Sequence, residues 1–321
     1  MHKENNDISN TKSKIGIIIP TLNEEKSIGM VIDKLRTVMK GYDFEIVVVD
    51  GKSNDRTVEI ARQHNAQVII QRKKGYGNAL FGGYLYCMEE LDCNILLTID
   101  ADNTYDAEDC TKIIEKIVSN DSDYIVGKRR VTSQSMSTSH RLGNKVISFL
   151  IRNILHVDIS DTQCGLFAFR SYLIENIDFF TTSGWALNTE LLTRAVESGM
   201  NISEVEVNYN PRIGETKVNT LHAGAINLAI ILRMMRDSEP LMLLGIVGVV
   251  IMSIGIIAGA FVVFDYIDTG VVHRTNLAVL SAMLVITGVQ IFSLGLVADM
   301  IKRRQQKRMH IPHNYYKKMN L

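Results

Sequence analysis

The sequence lacks several features that would assign it to a common class of protein. Its 321 residues carry no net charge at pH 7, because 35 lysines and arginines balance 35 aspartates and glutamates. This balance argues against a general nucleic-acid binder, so no nucleic-acid partner is expected. The four cysteines form no CxxC pair, which favours reduced thiols. The first apolar run is only as long as a strand, so a signal peptide is not expected.

Two long stretches lack any charged residue. Residues 240–264 and 276–298 are apolar, and each is about long enough to cross a hydrocarbon core of roughly 30 Å. Transmembrane helices are therefore predicted at 240–264 and 276–299.

Basic residues flank both predicted spans. Two arginines precede the first span, and five cations follow the second: Arg233 and Arg236, then Lys302, Arg303, Arg304, Lys307 and Arg308. By the positive-inside rule both chain ends face the cytoplasm, which predicts a multi-pass protein of a cell membrane or an endoplasmic-reticulum-type membrane. Residues 1–13 are predicted to be disordered, 221–239 to form an interfacial amphipathic helix, and 300–321 to form a basic cytoplasmic tail.

A pair of carboxylates follows a short apolar run at 95–99. The run predicts a buried strand, which places Asp100 and Asp102 at its carboxyl end. Two carboxylates this close repel each other unless a cation lies between them, and Mg²⁺ or Mn²⁺ prefers such oxygen ligands. An EF-hand loop is excluded, because Tyr105 and Thr111 occupy its glycine and glutamate positions. The alternative is a solvated turn that caps the next helix.

Strands alternate with helices through the first half of the chain, which predicts an α/β fold with a mostly parallel sheet. Polar residues follow the strands and are expected along one crevice that suits a nucleotide: Thr21, Glu25, Asp50, Lys74, Asp100 and Asp102. Gly75 and Gly77 do not begin a dinucleotide-binding GxGxxG, because Leu80 occupies its third glycine position, and no P-loop is present.

Several motifs carry a specific resemblance. The segments IIPTLNEE at 18–25, VVDGKSND at 48–55 and DAD at 100–102 resemble family 2 glycosyltransferases of the GT-A fold. The segments GKR at 127–129, DTQCGLFAFR at 161–170 and RIGETK at 212–217 are similar to the branch of dolichyl-phosphate mannose synthases and polyprenyl-phosphate glucosyltransferases. The resemblance covers residues 14–220 and implies a GT-A nucleotide-sugar-binding domain followed by two carboxyl-terminal transmembrane helices.

The resemblance implies roles for individual residues. Pro20, Thr21, Glu25 and Asp50 are expected to hold the base and ribose of a nucleotide sugar, and Asp100 and Asp102 are expected to bind Mg²⁺ or Mn²⁺ at its diphosphate. Lys74 is expected at the nucleotide only because it lies in the same predicted crevice. The catalytic residues are expected to be Asp102, Arg129, Arg212 and Lys217, and the acceptor and sugar pocket is expected to contain Arg141, Asp161, Gln163 and Glu190. The alternative for Asp161 and Gln163 is that they cap a turn before a strand at 166–169, and the alternative for Glu190 is that it only lies on its helix. Thr104 stands where some mannose synthases carry a glutamine on the metal side.

The resemblance implies a metal-assisted glycosyltransferase that moves one sugar from a nucleotide-sugar donor to dolichyl or polyprenyl phosphate in the bilayer, with inversion. UDP-glucose or UDP-N-acetylglucosamine is favoured as donor, and a GDP-mannose-dependent enzyme is the alternative. A polysaccharide synthase fits less well, because its QxxRW motif is missing and the one tryptophan, Trp185, follows Ser183 and Gly184. A catalytically inert membrane scaffold is the alternative from another class.

Overall fold

The computed structural model describes residues 13–131, 138–175, 187–213, 232, 235–236 and 240–309. The chain divides into two units, residues 1–228 and 229–321, and each is described by itself. Lys217, residues 1–12, most of the predicted interfacial helix at 221–239 and the end of the predicted tail lie outside the described residues.

The β-branched runs of the first unit form a seven-stranded sheet. In chain order the strands are β1 (Lys14–Thr21), β2 (Asp43–Asp50), β3 (Gln67–Ile70), β4 (Ile95–Thr98), β5 (Tyr124–Val131), β6 (Phe167–Arg170) and β7 (Ile202–Tyr209). Their spatial order is β3-β2-β1-β4-β6-β5-β7. Strand β6 alone runs antiparallel to its neighbours in this sheet, so the predicted mostly parallel α/β architecture is confirmed.

Helices connect most of these strands. They are α1 (Ile28–Val38), α2 (Thr57–Gln63), α3 (Tyr76–Glu89), α4 (Ala107–Val118), α5 (Thr138–Leu155), α6 (Tyr172–Glu175) and α7 (Leu187–Glu197). In α1 the buried residues recur at helical spacing, at Ile28, Val31, Ile32 and Leu35, so one face packs on the core while the polar face meets solvent.

The centre of the sheet is closely packed. The isoleucines of β1 at 15, 17, 18 and 19 are fully buried, and Tyr84 packs edge-on against Phe169 with ring centroids 5.2 Å apart. The buried Tyr84 hydroxyl pairs with the Thr98 hydroxyl at 2.8 Å, which satisfies both groups inside the core. All four cysteines are buried and free, in agreement with the expected reduced thiols.

Two long apolar helices form the second unit. Helix α8 spans Pro240–Thr269 and α9 spans Thr275–Met309, and both are long and apolar enough to be candidate membrane spans. A Cβ on Gly288 would lie 2.7 Å from the carbonyl oxygen of Gly248, so the two backbones approach closely, as small residues permit in membranes. Because α9 continues to Met309, the first part of the predicted basic tail is helical.

The contact of α3 with the sheet generates a stability prediction. A Cβ on Gly83 would lie 2.6 Å from Cγ2 of Ile18 and 2.9 Å from Cγ2 of Val49, whereas a Cβ on the adjacent Gly82 would meet nothing within 4 Å. We expect Gly83→Ala to destabilise the protein by about 1–3 kcal/mol through overpacking. The matched change Gly82→Ala is expected to be neutral or stabilising by up to about 1 kcal/mol, because alanine favours the helix. Thermal unfolding of both variants in detergent measures the difference, and equal melting temperatures would contradict this packing.

Candidate active site

A cavity of about 250 Å³ opens at the carboxyl ends of β1 and β4. We call it the donor cavity. Its lining includes five residues expected at the site, namely Pro20, Thr21, Asp100, Asp102 and Arg212, and also Glu24, Gln71 and Tyr76, which the sequence did not indicate. Parallel strands place their carboxyl ends at one edge of a sheet, which explains why segments distant in sequence meet here.

The two aspartates of the donor cavity have different surroundings. The Thr104 amide and hydroxyl both donate to Oδ1 of Asp102, at 3.1 and 2.7 Å, so this carboxylate has a fixed orientation. Burial raises the pKa of Asp100 to about 7, and the negative charge of Asp102 adds to that rise, while Arg212 and Arg129 oppose it. The pair is therefore short of positive charge, which a divalent cation can supply.

Arg212 lies across the acidic wall of the donor cavity. Its guanidinium forms an ion pair with Glu24, and its Nε lies 3.5 Å from Oδ2 of Asp102. The backbone after β7 is tied to the aspartate loop, because the Asn210 amide donates to the Thr104 carbonyl at 2.7 Å. Arg212 is thus held beside Asp102, where its positive charge offsets part of the charge of the aspartate pair.

The residues present fit a divalent ion that shares its ligands with a substrate. Among the described residues, no group of three His, Cys, Asp or Glu side chains could hold a metal by itself. Asp100 and Asp102 can therefore supply part of a coordination shell. Mg²⁺ commonly uses one or two carboxylates together with substrate phosphate oxygens and water, which matches this donor set.

A second cavity of about 230 Å³, which we call the basic cavity, lies beside β5 and α5. Four cations and one carboxylate line it together with three neutral polar residues: Lys128, Arg129, Arg141, Lys145 and Asp161, then Asn144, Ser148 and Ser160. Lys128 is offset by Glu204 at 3.4 Å. Arg141 and Lys145 have no carboxylate within 4.0 Å in the part of the chain that the structure describes, so their charges remain available to an anion.

Arg129 is held by Asp161 in a bidentate pair. Its Nε and Nη2 donate to the two carboxylate oxygens, both at 2.7 Å, and the guanidinium lies over the Tyr209 ring at 5.3 Å from the centroid. Burial opposes the charge of Arg129, but Tyr105 and Asp161 outweigh it and raise its pKa. Arg129 therefore stays protonated, and its charge acts on Asp100 of the donor cavity as well as on the basic cavity that it lines.

Several predicted site residues line neither cavity. Glu25 is exposed and accepts the Arg56 amide at 3.1 Å, and Asp50 accepts the amides of Lys52 and Ser53 at 2.8 and 2.9 Å. Lys74 is exposed outside the donor cavity. The nucleotide-binding roles of these three residues stay predictions.

The predicted acceptor and sugar pocket is only partly assembled. Arg141 and Asp161 line the basic cavity, whereas Gln163 donates to the Thr189 hydroxyl at 3.1 Å and Glu190 pairs with Arg194 at 3.1 Å. Gln163 and Glu190 line neither cavity, so their sugar contacts stay predictions. Lys217 lies outside the described residues.

Comparison with known families identifies the chain. The profile of glycosyl transferase family 2 matches residues 16–178, and the chain belongs to this family. Residues 239–303 match a second family, described as the GtrB C-terminal hairpin, which coincides with the two apolar helices. The predicted family is confirmed.

Three similar proteins indicate which branch of family 2 this chain resembles. The dolichyl-phosphate hexose transferase of Haloferax volcanii is 35% identical over 217 residues, which are 67% of this chain and 91% of that protein. Glycosyltransferase AglJ of the same organism is 27% identical over 308 residues, 93% of this chain and 98% of the relative. The undecaprenyl-phosphate 4-deoxy-4-formamido-L-arabinose transferase of Shewanella sediminis is 26% identical over 90% of this chain and 87% of its own length.

Solved structures confirm the predicted fold. Glucosyl-3-phosphoglycerate synthase from Mycobacterium tuberculosis, crystallised with Mn²⁺, UDP and glucosyl-3-phosphoglycerate, superimposes with a TM-score of 0.56 at 20% identity. The match covers 70% of this chain and 80% of that one. At this identity the likeness establishes the architecture alone.

The Arg129–Asp161 pair generates a second prediction. The side chains are only 7% and 15% exposed, so Arg129→Met leaves a carboxylate largely buried without its partner. We expect a loss of about 3 kcal/mol in the free energy of unfolding. The double variant Arg129→Met, Asp161→Asn should recover part of that loss, since no unpaired charge remains. Thermal unfolding in detergent tests this, and a double variant less stable than Arg129→Met would contradict it.

Proposed function

We propose that the protein transfers one hexose from a nucleotide sugar to the phosphate of a polyprenyl or dolichyl lipid, with inversion of the anomeric centre. The observation that carries this proposal is the pairing of an acidic donor cavity with a basic cavity in which Arg141 and Lys145 form no ion pair with any described residue. Asp100 and Asp102 of the first cavity would hold a metal ion beside a diphosphate, and an anionic acceptor suits the second cavity.

The donor cavity is suited to hold the nucleotide diphosphate. Asp100 and Asp102 would bind Mg²⁺ or Mn²⁺, which when bound offsets the negative charge that develops on the departing diphosphate. Arg212 lies beside Asp102, and its planar guanidinium would contact the phosphate oxygens of the donor. Thr104 holds Asp102 in one orientation throughout.

The basic cavity is suited to hold the acceptor phosphate. Arg141 and Lys145 would bind its oxygens, and Arg129, oriented by Asp161, would neutralise charge between acceptor and donor. A phosphate oxygen is already anionic near neutral pH, so it can attack the anomeric carbon without a strong general base. A single displacement inverts the configuration at that carbon.

The helix that borders the basic cavity supports a lipid acceptor over a soluble one. Helix α5 carries Arg141 and Lys145, and it also exposes Val146 to 50% and Phe149 to 64%. Apolar side chains beside cations form the pattern by which a helix meets the interface of an anionic membrane. We propose further that α8 and α9 cross this membrane with both ends in the cytoplasm, as the flanking charges predict.

The identity of the donor is proposed from the comparisons with known proteins. The relatives include transferases whose names specify dolichyl phosphate and undecaprenyl phosphate, and a structural neighbour binds UDP with Mn²⁺. The names of the relatives support the lipid-phosphate acceptor, and the UDP of the structural neighbour favours a UDP-hexose, with UDP-glucose or UDP-N-acetylglucosamine first and GDP-mannose as the alternative. An inert scaffold would not need the carboxylate pair that lines the donor cavity.

Replacement of Asp102 tests the metal. We expect Asp102→Asn to fold normally and to lower turnover by at least about 100-fold, since the leaving group loses its counter-charge. Transfer of radiolabelled sugar from UDP-glucose, UDP-N-acetylglucosamine or GDP-mannose to a short polyprenyl phosphate measures this, with EDTA added to the wild type in parallel. Wild-type turnover by the variant together with insensitivity to EDTA would reject the metal site, and absence of transfer with any donor would favour the scaffold.

Variants of α5 test the acceptor site. We expect Arg141→Ala and Lys145→Ala each to raise the KM for polyprenyl phosphate by about 10- to 100-fold, because a hydrogen bond to a charged group contributes about 1.5–3 kcal/mol. The KM for the nucleotide sugar should change little.

The matched control is Arg152→Ala on the same helix. Arg152 is exposed, pairs with Asp158 at 2.9 Å and lies outside the basic cavity, so its loss should leave both KM values unchanged. An equal effect of Arg152→Ala, or a KM increase for the donor alone, would contradict the assignment of the basic cavity to the acceptor.

A further inference from the structure

The carboxylate of Asp100 lies directly on the backbone of Gly165. A Cβ placed on Gly165 would lie 2.4 Å from Oδ2 of Asp100 and 3.0 Å from its Cγ. No side chain larger than hydrogen fits at Gly165 while Asp100 keeps this position. This contact joins the aspartate pair to the DTQCG segment, 65 residues later in the chain, for which the proposed mechanism gives only Asp161 a role.

The Gly165 backbone is itself held in place. Its amide donates to the hydroxyl of Tyr105 at 2.8 Å, and Tyr105 is only 3% exposed. On the preceding residue, the carbonyl of Cys164 accepts the side-chain amide of Asn188 at 3.2 Å. Tyr105 also packs against Tyr209, with ring centroids 5.3 Å apart. Buried hydrogen bonds from two directions therefore leave this peptide little freedom to move.

Strand β5 of the sheet contacts the DTQCG segment and the residue that follows it. The Gly127 amide of β5 donates to the Leu166 carbonyl at 2.9 Å, and a Cβ on Gly127 would lie 2.9 Å from Sγ of Cys164. The segment thus lies between β5 on one side and Asp100 on the other. If a side chain were added at Gly165, the carboxylate of Asp100 would be displaced rather than the backbone, because the carboxylate can rotate.

We infer that Gly165 is a positioning residue, held by the Tyr105 hydroxyl, that determines where Asp100 presents its carboxylate to the metal and diphosphate. The inference rests on the proposed metal site at Asp100 and Asp102. It gives the glycine of the DTQCG segment a function that does not depend on contact with sugar or acceptor. Asp102 has an analogous support in Thr104, so each aspartate of the pair is oriented by a different part of the chain.

Binding of Mn²⁺ to the full-length chain in detergent, with saturating UDP, tests the inference by calorimetry. We expect Gly165→Ala to weaken Mn²⁺ binding by about 10- to 100-fold, the range typical of groups that orient metal ligands. The melting temperature in EDTA should stay near that of the wild type, since Asp100 can rotate away. The concentration of Mn²⁺ that gives half-maximal turnover should rise in proportion, with recovery of turnover at high Mn²⁺.

Two further variants make the result decisive. Gly82→Ala introduces the same methyl group where nothing lies within 4 Å and should leave Mn²⁺ binding unchanged. Tyr105→Phe keeps the ring but removes the acceptor of the Gly165 amide, so we expect Mn²⁺ binding to weaken by up to about 10-fold. If Gly165→Ala does not fold, Tyr105→Phe alone decides the question.

Wild-type Mn²⁺ affinity in folded Gly165→Ala would overturn the inference, as would a lowered melting temperature with unchanged affinity. Asp100→Asn separates this failure from failure of the metal site. If Asp100→Asn loses Mn²⁺ binding while Gly165→Ala retains it, the proposed site stands and the positioning role is rejected. If the wild type binds no Mn²⁺, the metal site is rejected and the inference is rejected with it.

Discussion

The repulsion between two carboxylates at the end of β4 is the interaction on which the rest of the site depends. Burial, and after it the charge of Asp102 one residue away, raises the pKa of Asp100 to about 7. Proteins place such a pair together only where something offsets the charge. Here Arg212 offsets part of it, Thr104 donates two hydrogen bonds to Asp102, and the remaining negative charge would be offset by the proposed divalent cation.

The two cavities differ in the charge of the side chains that line them, and electrostatics explains this difference as well. In the proposed reaction one group leaves as a diphosphate and the other arrives as a phosphate, so both approach the same point with negative charge. The chain would meet this charge with the carboxylates of Asp100 and Asp102 on one side and with Arg141 and Lys145 on the other. Arg129 serves both, because it lines the basic cavity while its charge lowers the pKa of Asp100. The bidentate pair with Asp161 fixes the orientation of the Arg129 guanidinium. The negative charge of Asp161 also offsets much of the positive charge of Arg129.

The sequence predicted the framework of the site better than its details. Apolar runs ending in polar residues predicted the sheet, and they brought Thr21, Asp100 and Asp102 to one cavity, because the carboxyl ends of parallel strands must meet. A motif does not state which way each side chain points. Of two adjacent glutamates, Glu24 faces the cavity and Glu25 the solvent, and Asp50 turns back to the amides of its own loop. The contact of Gly165 with Asp100 joins segments far apart in sequence, so no local pattern predicts it.

Helix α5 would explain how the protein can use the proposed lipid acceptor. The apolar chain of a polyprenyl phosphate needs no cavity of its own, since the bilayer already holds it, and only the phosphate must reach the protein. The helix presents Arg141 and Lys145 toward the basic cavity and leaves Val146 and Phe149 exposed beside them. Selection of a lipid over a soluble phosphate can therefore reside on the surface of one helix, outside the donor cavity. The aspartate pair, with Thr104 and Gly165 that orient it, can then keep one geometry whatever lipid chain is attached to the phosphate.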